Sequence, residues 1–235
     1  RADHHEEPHV APKELQPGIA IARQRTQHQM AHDAQGGDDQ GVAEPQQDVG
    51  VGPQAREAQA ELVCAKVWGF DTESKPTFRV GDVSDGPHVV QLATPDDAWV
   101  FQLHDLQCRA VVAELLALPG VTKAGFGLGD DRRRIQRKFG VEAVGVLDLN
   151  TVFSQRGYRK EMGVKSAVAV LFQRRFIKSK KVATTNWANP TLTDAQLVYA
   201  ANDAYAAIQV YNALGLAGGS AAPGIPCDPP EPLHP

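Results

Sequence analysis

The sequence predicts an α/β fold, a mixed five-stranded sheet with helices on both faces. Three apolar segments near 66–71, 88–94 and 98–103 are separated only by short turns, which suits antiparallel neighbours. Later strand segments, near 121–126 and 144–148, are separated by helical stretches, which suits parallel crossovers. All fifteen aromatic residues lie between Trp68 and Tyr211, so the material for a core is confined to that interval.

Taken in order, the first strand is carried by Val67, Trp68 and Phe70, an apolar run that delivers Asp71 and Glu73 to its end. Period two puts Asp71 and Glu73 on one face and leaves Trp68 and Phe70 for the core. The next two strands are followed by a helix near 107–118 and by the strand-like stretch VTKAGFG. A helix near 130–139 comes next, with Ile135 and Phe139 recurring at four-residue spacing, so Asp131 projects from a strand-to-helix junction. Helices near 149–156 and 163–172 follow the fifth strand. The last helix, near 193–214, is rich in Ala, Leu, Gln and Val and carries a Leu197, Ala200, Ala204, Ile208 stripe. Tyr199 and Asp203 are four residues apart and share one face of it.

Both ends of the chain differ from this middle. Residues 1–60 hold no aromatic residue, ten glutamines and five of the eight histidines, with no sustained apolar period, and are expected to be disordered. Since the chain begins at Arg1 rather than Met, it is expected to be a fragment or to carry an upstream extension foreign to the domain. The segment 215–235 is rich in Gly and Pro and reads as a flexible tail, which leaves one domain over 61–214.

Four carboxylates and a tyrosine thus fall in three clusters: Asp71 with Glu73, then Asp131, then Tyr199 with Asp203. Taken alone, an Asp-x-Glu at a strand end is commonly a solvated turn, and a Tyr-x-x-x-Asp pair is common on helices. Their joint order and strand-to-helix settings are specific. From about Lys66 to Leu214 the chain resembles the DEDDy subgroup of 3′-5′ exonucleases, which includes ribonuclease D, the Werner-type exonucleases and polymerase proofreading domains. NWANPTLTDAQLVYAANDAYAAIQVY is similar to the third motif of that family and GFDTESKPTF to the first. In the second motif the family places an aliphatic residue one turn after the ligand. Ile135 fills that place for Asp131, so Asp131 rather than Asp130 is taken as the ligand, although three successive arginines there are less typical.

The resemblance implies a ribonuclease H-like fold and removal of nucleotides from the free 3′ end of DNA or RNA. It also implies two divalent ions, Mg²⁺ or Mn²⁺. Hard cations prefer oxygen ligands, and carboxylates supply both the oxygens and the charge. In such a site, ions roughly 3.5 to 4 Å apart activate the attacking water and stabilise the leaving oxygen. Carried over to this chain, Asp71, Glu73 and Asp203 ligate the metal that activates water, Asp71 bridges to the second, and Asp131 acts there directly or through a water. Tyr199 orients the attacking water; an ordinary pKa near 10 favours that over proton removal. A nucleic-acid-binding module of the same fold with little turnover is the competing reading. Because only a Pro-rich tail follows the catalytic region, a stand-alone exonuclease is expected rather than ribonuclease D proper.

Charge agrees with a nucleic-acid partner once it is divided by region. The whole chain has a net charge of −4, yet residues 61–214 carry 19 basic against 16 acidic residues, a net +3. Within 132–181 there are 14 basic residues and three acidic ones. Lys178, Lys180 and Lys181 are candidate phosphate contacts, or else solvate a helix face. Trp187, in a loop rich in Asn and Thr, is a candidate for base stacking or a packed loop anchor.

Cys64, Cys108 and Cys227 lack paired spacing, which argues against a disulfide framework and a zinc site and for a reducing compartment. No membrane-length apolar run and no signal-peptide pattern is present, so a cytoplasmic or nuclear protein without membrane association is expected. His5-Glu6-Glu7-Pro8-His9 satisfies H-E-x-x-H, but Pro8 breaks the helix that zinc binding needs. Gly125-Phe126-Gly127-Leu128-Gly129 lacks dinucleotide-loop spacing and reads as backbone clearance around the second motif.

Overall fold

Alternation along β2 (Val67–Glu73) sets the layering: Trp68 and Phe70 enter one core, while Gly69, Asp71 and Glu73 turn to the opposite face. The computed structural model describes residues 21–25, 51–77, 82, 84–158 and 160–216. Among these, β1 (Ile21–Arg25) and α1 (Val51–Leu62) precede β2. After it come β3 (Val89–Ala93), β4 (Asp97–Gln102), α2 (Leu106–Ala117), β5 (Thr122–Gly125), α3 (Gly129–Phe139) and β6 (Val146–Asp148). The chain continues with α4 (Leu149–Gln155), α5 (Val164–Phe172), α6 (Lys180–Ala183) and α7 (Asp194–Ala213).

The strands form one mixed sheet in the order β1-β4-β3-β2-β5-β6. β2, β3 and β4 make the antiparallel meander, and β5 and β6 add in parallel beside β2. These are the five strands and the mixed topology expected from sequence. β1 is a sixth strand, paired antiparallel with β4 from Ile21↔Phe101 to Arg25↔Asp97. The α7 face is packed by α4, α5 and α7, and the opposite face by α1, α2 and α3.

The expectation that nothing before residue 61 is structured needs correction. Besides β1, α1 buries Ala55, Ala58 and Leu62, a one-sided stripe that aromatic content could not reveal because it is built from small residues. Arg56 joins Glu114 of α2 at 2.6 Å, and Trp68 Nε1 donates to the Leu62 carbonyl at 2.8 Å. Packed helix therefore begins about ten residues before the boundary that composition suggested. The His5–His9 motif, Cys227 and the tail from 217 lie outside the described residues.

Close approach of α7 to β2 is what builds the site. A Cβ placed on Gly69 would lie 1.9 Å from the Ala204 carbonyl oxygen, so only glycine lets the helix backbone touch the strand. Ala200, Ala204 and Ala207 keep the contacting helix surface thin. Thr193 starts α7 with a capping box, its hydroxyl accepting from Gln196 N while Gln196 Oε1 accepts from Thr193 N.

Candidate active site

β2 brings Asp71 and Glu73 to the sheet end, and α7 lays Asp203 across them. One ligand atom from each lies within 4.8 Å of the other two. Asp131 is delivered from the other side of β2 by the first turn of α3, where it accepts a hydrogen bond from Thr72 Oγ1 at 2.7 Å. Asp130 points outward and pairs with Arg133. The two adjacent aspartates thus occupy opposite settings: Asp131 is the inward one, near enough to raise the Asp71 and Glu73 carboxyls but outside the group of three.

Asp148, which the sequence reading passed over, fixes that junction. Its carboxylate accepts from the backbone of Gly127 at 3.2 Å, Leu128 at 3.1 Å and Asn150 at 2.9 Å. It therefore caps α4 and ties down the turn from which α3 and Asp131 emerge. An Asp between a strand and a helix is the signal that could have found it.

Crowded, buried carboxylates resist ionisation. Burial, reinforced by Asp203, pushes the Asp71 carboxyl up to about 8. Burial and Asp71 push Glu73 up to about 9. Asp203 is also raised by burial, against the pull of Lys178, and Asp131 is raised by burial against its Thr72 hydrogen bond. No hydrogen-bond donor reaches Asp203 Oδ1 among the described residues. Oxygen donors this close, with a buried oxygen left unsatisfied, fit a hard divalent cation, which would relieve the repulsion.

Tyr199 is 8% exposed, and its ring contacts both Trp187, with centroids 5.8 Å apart, and Lys178, whose ammonium is 5.1 Å from the ring centre. Burial and Asp203 push its hydroxyl up to about 12, so it stays a proton donor at neutral pH. Trp187 is 1% exposed and its Nε1 donates to the Ala183 carbonyl at 3.2 Å. It is the packed loop anchor. Its buried ring packs against that of Tyr199 rather than facing solvent.

Lys178 lies among the carboxylates, 2.6 Å from Asp203 Oδ2, rather than out on the surface. Burial opposes its charge, but Asp203 and Asp71 outweigh that and hold the ammonium firmly protonated. Lys180 and Lys181 are exposed on α6, a short helix capped by Ser179 that the sequence did not announce. A cleft of about 370 Å³ opens on Asp71 and Asp203, walled by Phe126, Asn150, Lys165 and Lys178. A second, of about 660 Å³, is lined by Arg174, Arg175 and Ile177 and shares Lys165 and Lys178 with the first.

Residues 53–217 match the family model described as 3′-5′ exonuclease. Among curated proteins, the chain is 27% identical over 157 residues to the bifunctional 3′-5′ exonuclease/ATP-dependent helicase WRN of Mus musculus, covering 66% of this chain and 11% of that protein. It is 28% identical over 148 residues to a 3′-5′ exonuclease of Arabidopsis thaliana, covering 62% and 51%. The chain therefore spans at most about half the length of these two relatives. Among solved structures, Trypanosoma brucei RNase D in complex with RNA U12 superposes with a TM-score of 0.62 at 21% identity, over 72% of this chain and 61% of that one. The Aedes aegypti Nibbler EXO domain gives 0.58 at 23%, over 70% and 84%. These structures share the ribonuclease H-like fold expected from sequence. With its sheet, its carboxylate cluster and a match that covers most of its length, the chain belongs to the 3′-5′ exonuclease family.

Proposed function

We propose that the chain hydrolyses phosphodiester bonds one nucleotide at a time from the free 3′ end of DNA or RNA, with two divalent ions, Mg²⁺ or Mn²⁺. The observation that carries this reading is the convergence of Asp71, Glu73 and Asp203 within 4.8 Å at the mouth of a cleft, with Asp131 on the adjoining strand-to-helix turn. When bound, such ions supply Lewis acidity for the attacking and leaving oxygens.

The chain's own groups do the rest. Asp71, Glu73 and Asp203 would hold one ion, and Asp71 with Asp131 would serve the second. Tyr199, still protonated, donates its hydroxyl hydrogen bond to the water that attacks, with its ring fixed by Trp187. The 370 Å³ cleft falls within the range of roughly 300–1,000 Å³ usual for small-ligand sites and takes the terminal nucleotide. Lys180 and Lys181 contact phosphates further along the strand, on the side where Arg174 and Arg175 line the second cleft. RNA in the Trypanosoma brucei complex supports a nucleic-acid strand as substrate and leaves DNA open.

The test is cleavage of 5′-labelled DNA and RNA oligonucleotides with Mg²⁺, with Mn²⁺ and with EDTA. Stepwise shortening that needs metal and stops when the 3′ end is blocked is the expected result. Binding without shortening in either metal would favour the non-catalytic binding module, and internal cuts would contradict exonuclease action.

A further inference from the structure

Three carboxylates within 4.8 Å need positive charge, and one of them, Asp203, is in direct contact with a lysine. We propose that Lys178 is an internal counter-cation that exchanges with a divalent ion: its ammonium holds Asp203 when the carboxylates carry no metal, and it withdraws into the adjoining cleft when metal binds. This rests on the metal-dependent reading of the site.

Geometry supports the exchange. The ammonium takes Asp203 Oδ2 at 2.6 Å, on one of the three residues that a cation would share. A divalent ion and an ammonium on one carboxylate repel each other and draw on the same negative charge, so the two compete. Release costs little in backbone terms. Lys165 Nζ donates to the Lys178 carbonyl at 3.2 Å, and the adjacent Ser179 caps α6, so the main chain is pinned on both sides. The four-carbon stem is free to turn, and Lys178 already lines both clefts, which gives the ammonium somewhere to go. The face of Tyr199, 5.1 Å away, favours a cation near its present position, so the metal-free state is held by two contacts rather than one.

Mn²⁺ binding to the full chain, read from the free-ion electron paramagnetic resonance signal at fixed pH and salt, tests this without reference to turnover. Lys178→Met should tighten Mn²⁺ binding about tenfold or more, equivalent to about 1.4 kcal/mol. Lys178→Arg, which keeps the charge, should stay within about threefold of the parent. Lys160→Met makes the same change of charge at an exposed lysine outside both clefts and should also shift binding less than about threefold. Equal affinity in the parent and Lys178→Met would overturn the exchange, and so would an equal gain from Lys160→Met, since that would be a general field effect. Should the Met variant fail to fold, Lys178→Gln gives the same comparison. A parent that binds no Mn²⁺, or binds it no better than Asp203→Ala, would instead overturn the metal reading of the site itself.

Discussion

Two buried or half-buried lysines, one on each face of the sheet, show what divides this molecule. Lys123 on β5 is fully buried against the α2 side, where its ammonium donates to the Leu118 carbonyl at 2.7 Å and lies 5.2 Å from the centre of the Trp68 ring. No carboxylate among the described residues raises it, and burial pulls it down to about 8. Lys178, on the α7 side, feels the same cost of burial, yet Asp203 and Asp71 raise it instead. Burial alone does not decide a lysine's charge; its partners do. The α2 face is an apolar core with one tolerated cation, whereas the α7 face concentrates like charges that require one.

The sharpest way to break that contrast is to remove one of the like charges. Asp71→Asn should lower cleavage by at least about 10²- to 10³-fold, the range for losing one preorganised electrostatic group. The same change should stabilise the metal-free protein above about pH 8, because it deletes a carboxyl that burial and Asp203 resist ionising. In the parent, the folded-state pKa values of Asp71 and Glu73 lie above their ordinary values, so the folded protein binds more protons than the unfolded one. Stability in EDTA should therefore fall as pH rises from about 4 to about 9. Saturating Mg²⁺ or Mn²⁺ should flatten that fall, and thermal melts across the range, with and without metal, read both effects. A melting temperature that rises over the window in EDTA would contradict the burial of these acids.

A smaller effect is expected at the hydroxyl. Tyr199→Phe keeps the ring against Trp187 and removes only the donor, so single-turnover rates should fall by roughly 10²-fold while metal and strand affinity hold. A Phe variant as fast as the parent would make Tyr199 a packing residue.

Much of this candidate site could be read from the chain because its carboxylates obey local periodicities. Two residues along a strand placed Asp71 beside Glu73, and four along a helix placed Tyr199 with Asp203. Where long-range packing decides, sequence said less. Lys178 and Lys180 look alike in FIKSKK, but the pinned loop turns one onto Asp203 and leaves the other exposed. Trp187 was open between two uses until Ala183 and Tyr199 were seen to enclose it. α1 escaped notice for a further reason: an Ala55, Ala58, Leu62 stripe carries little apolar signal, and its burial depends on α2 being there to receive it.

Gly69 tests the contact that joins strand to helix. Gly69→Ala forces a methyl against the Ala204 carbonyl, and overpacking of that kind typically costs about 1–3 kcal/mol. Because α7 carries Asp203, Mn²⁺ affinity should weaken along with stability. Reduced stability with unchanged metal affinity would mean that the helix shifts as a body without disturbing its carboxylate.

The smallest change is expected on the quiet face. Lys123→Met fills similar space, exchanges a buried ammonium for a thioether beside Trp68, and leaves the Leu118 carbonyl without its donor. The desolvation regained and the hydrogen bond lost oppose each other, so stability near neutral pH should move by no more than about 1 kcal/mol. The pH dependence is more telling. Lys123 has a folded-state value of about 8, below the usual 10.5, so the unfolded chain binds more protons between those limits and the parent gains stability as pH rises through them. The Met variant should lose that gain, which denaturant unfolding at pH 8 and pH 10 would reveal. Cleavage should stay within about twofold of the parent, since no residue of the carboxylate cluster contacts Lys123 and surface-to-surface coupling through a well-packed sheet is weak for distant sites. A large loss of cleavage in Lys123→Met, with folding intact, would show that the two faces are coupled through β5 and that their separation into core and chemistry is wrong.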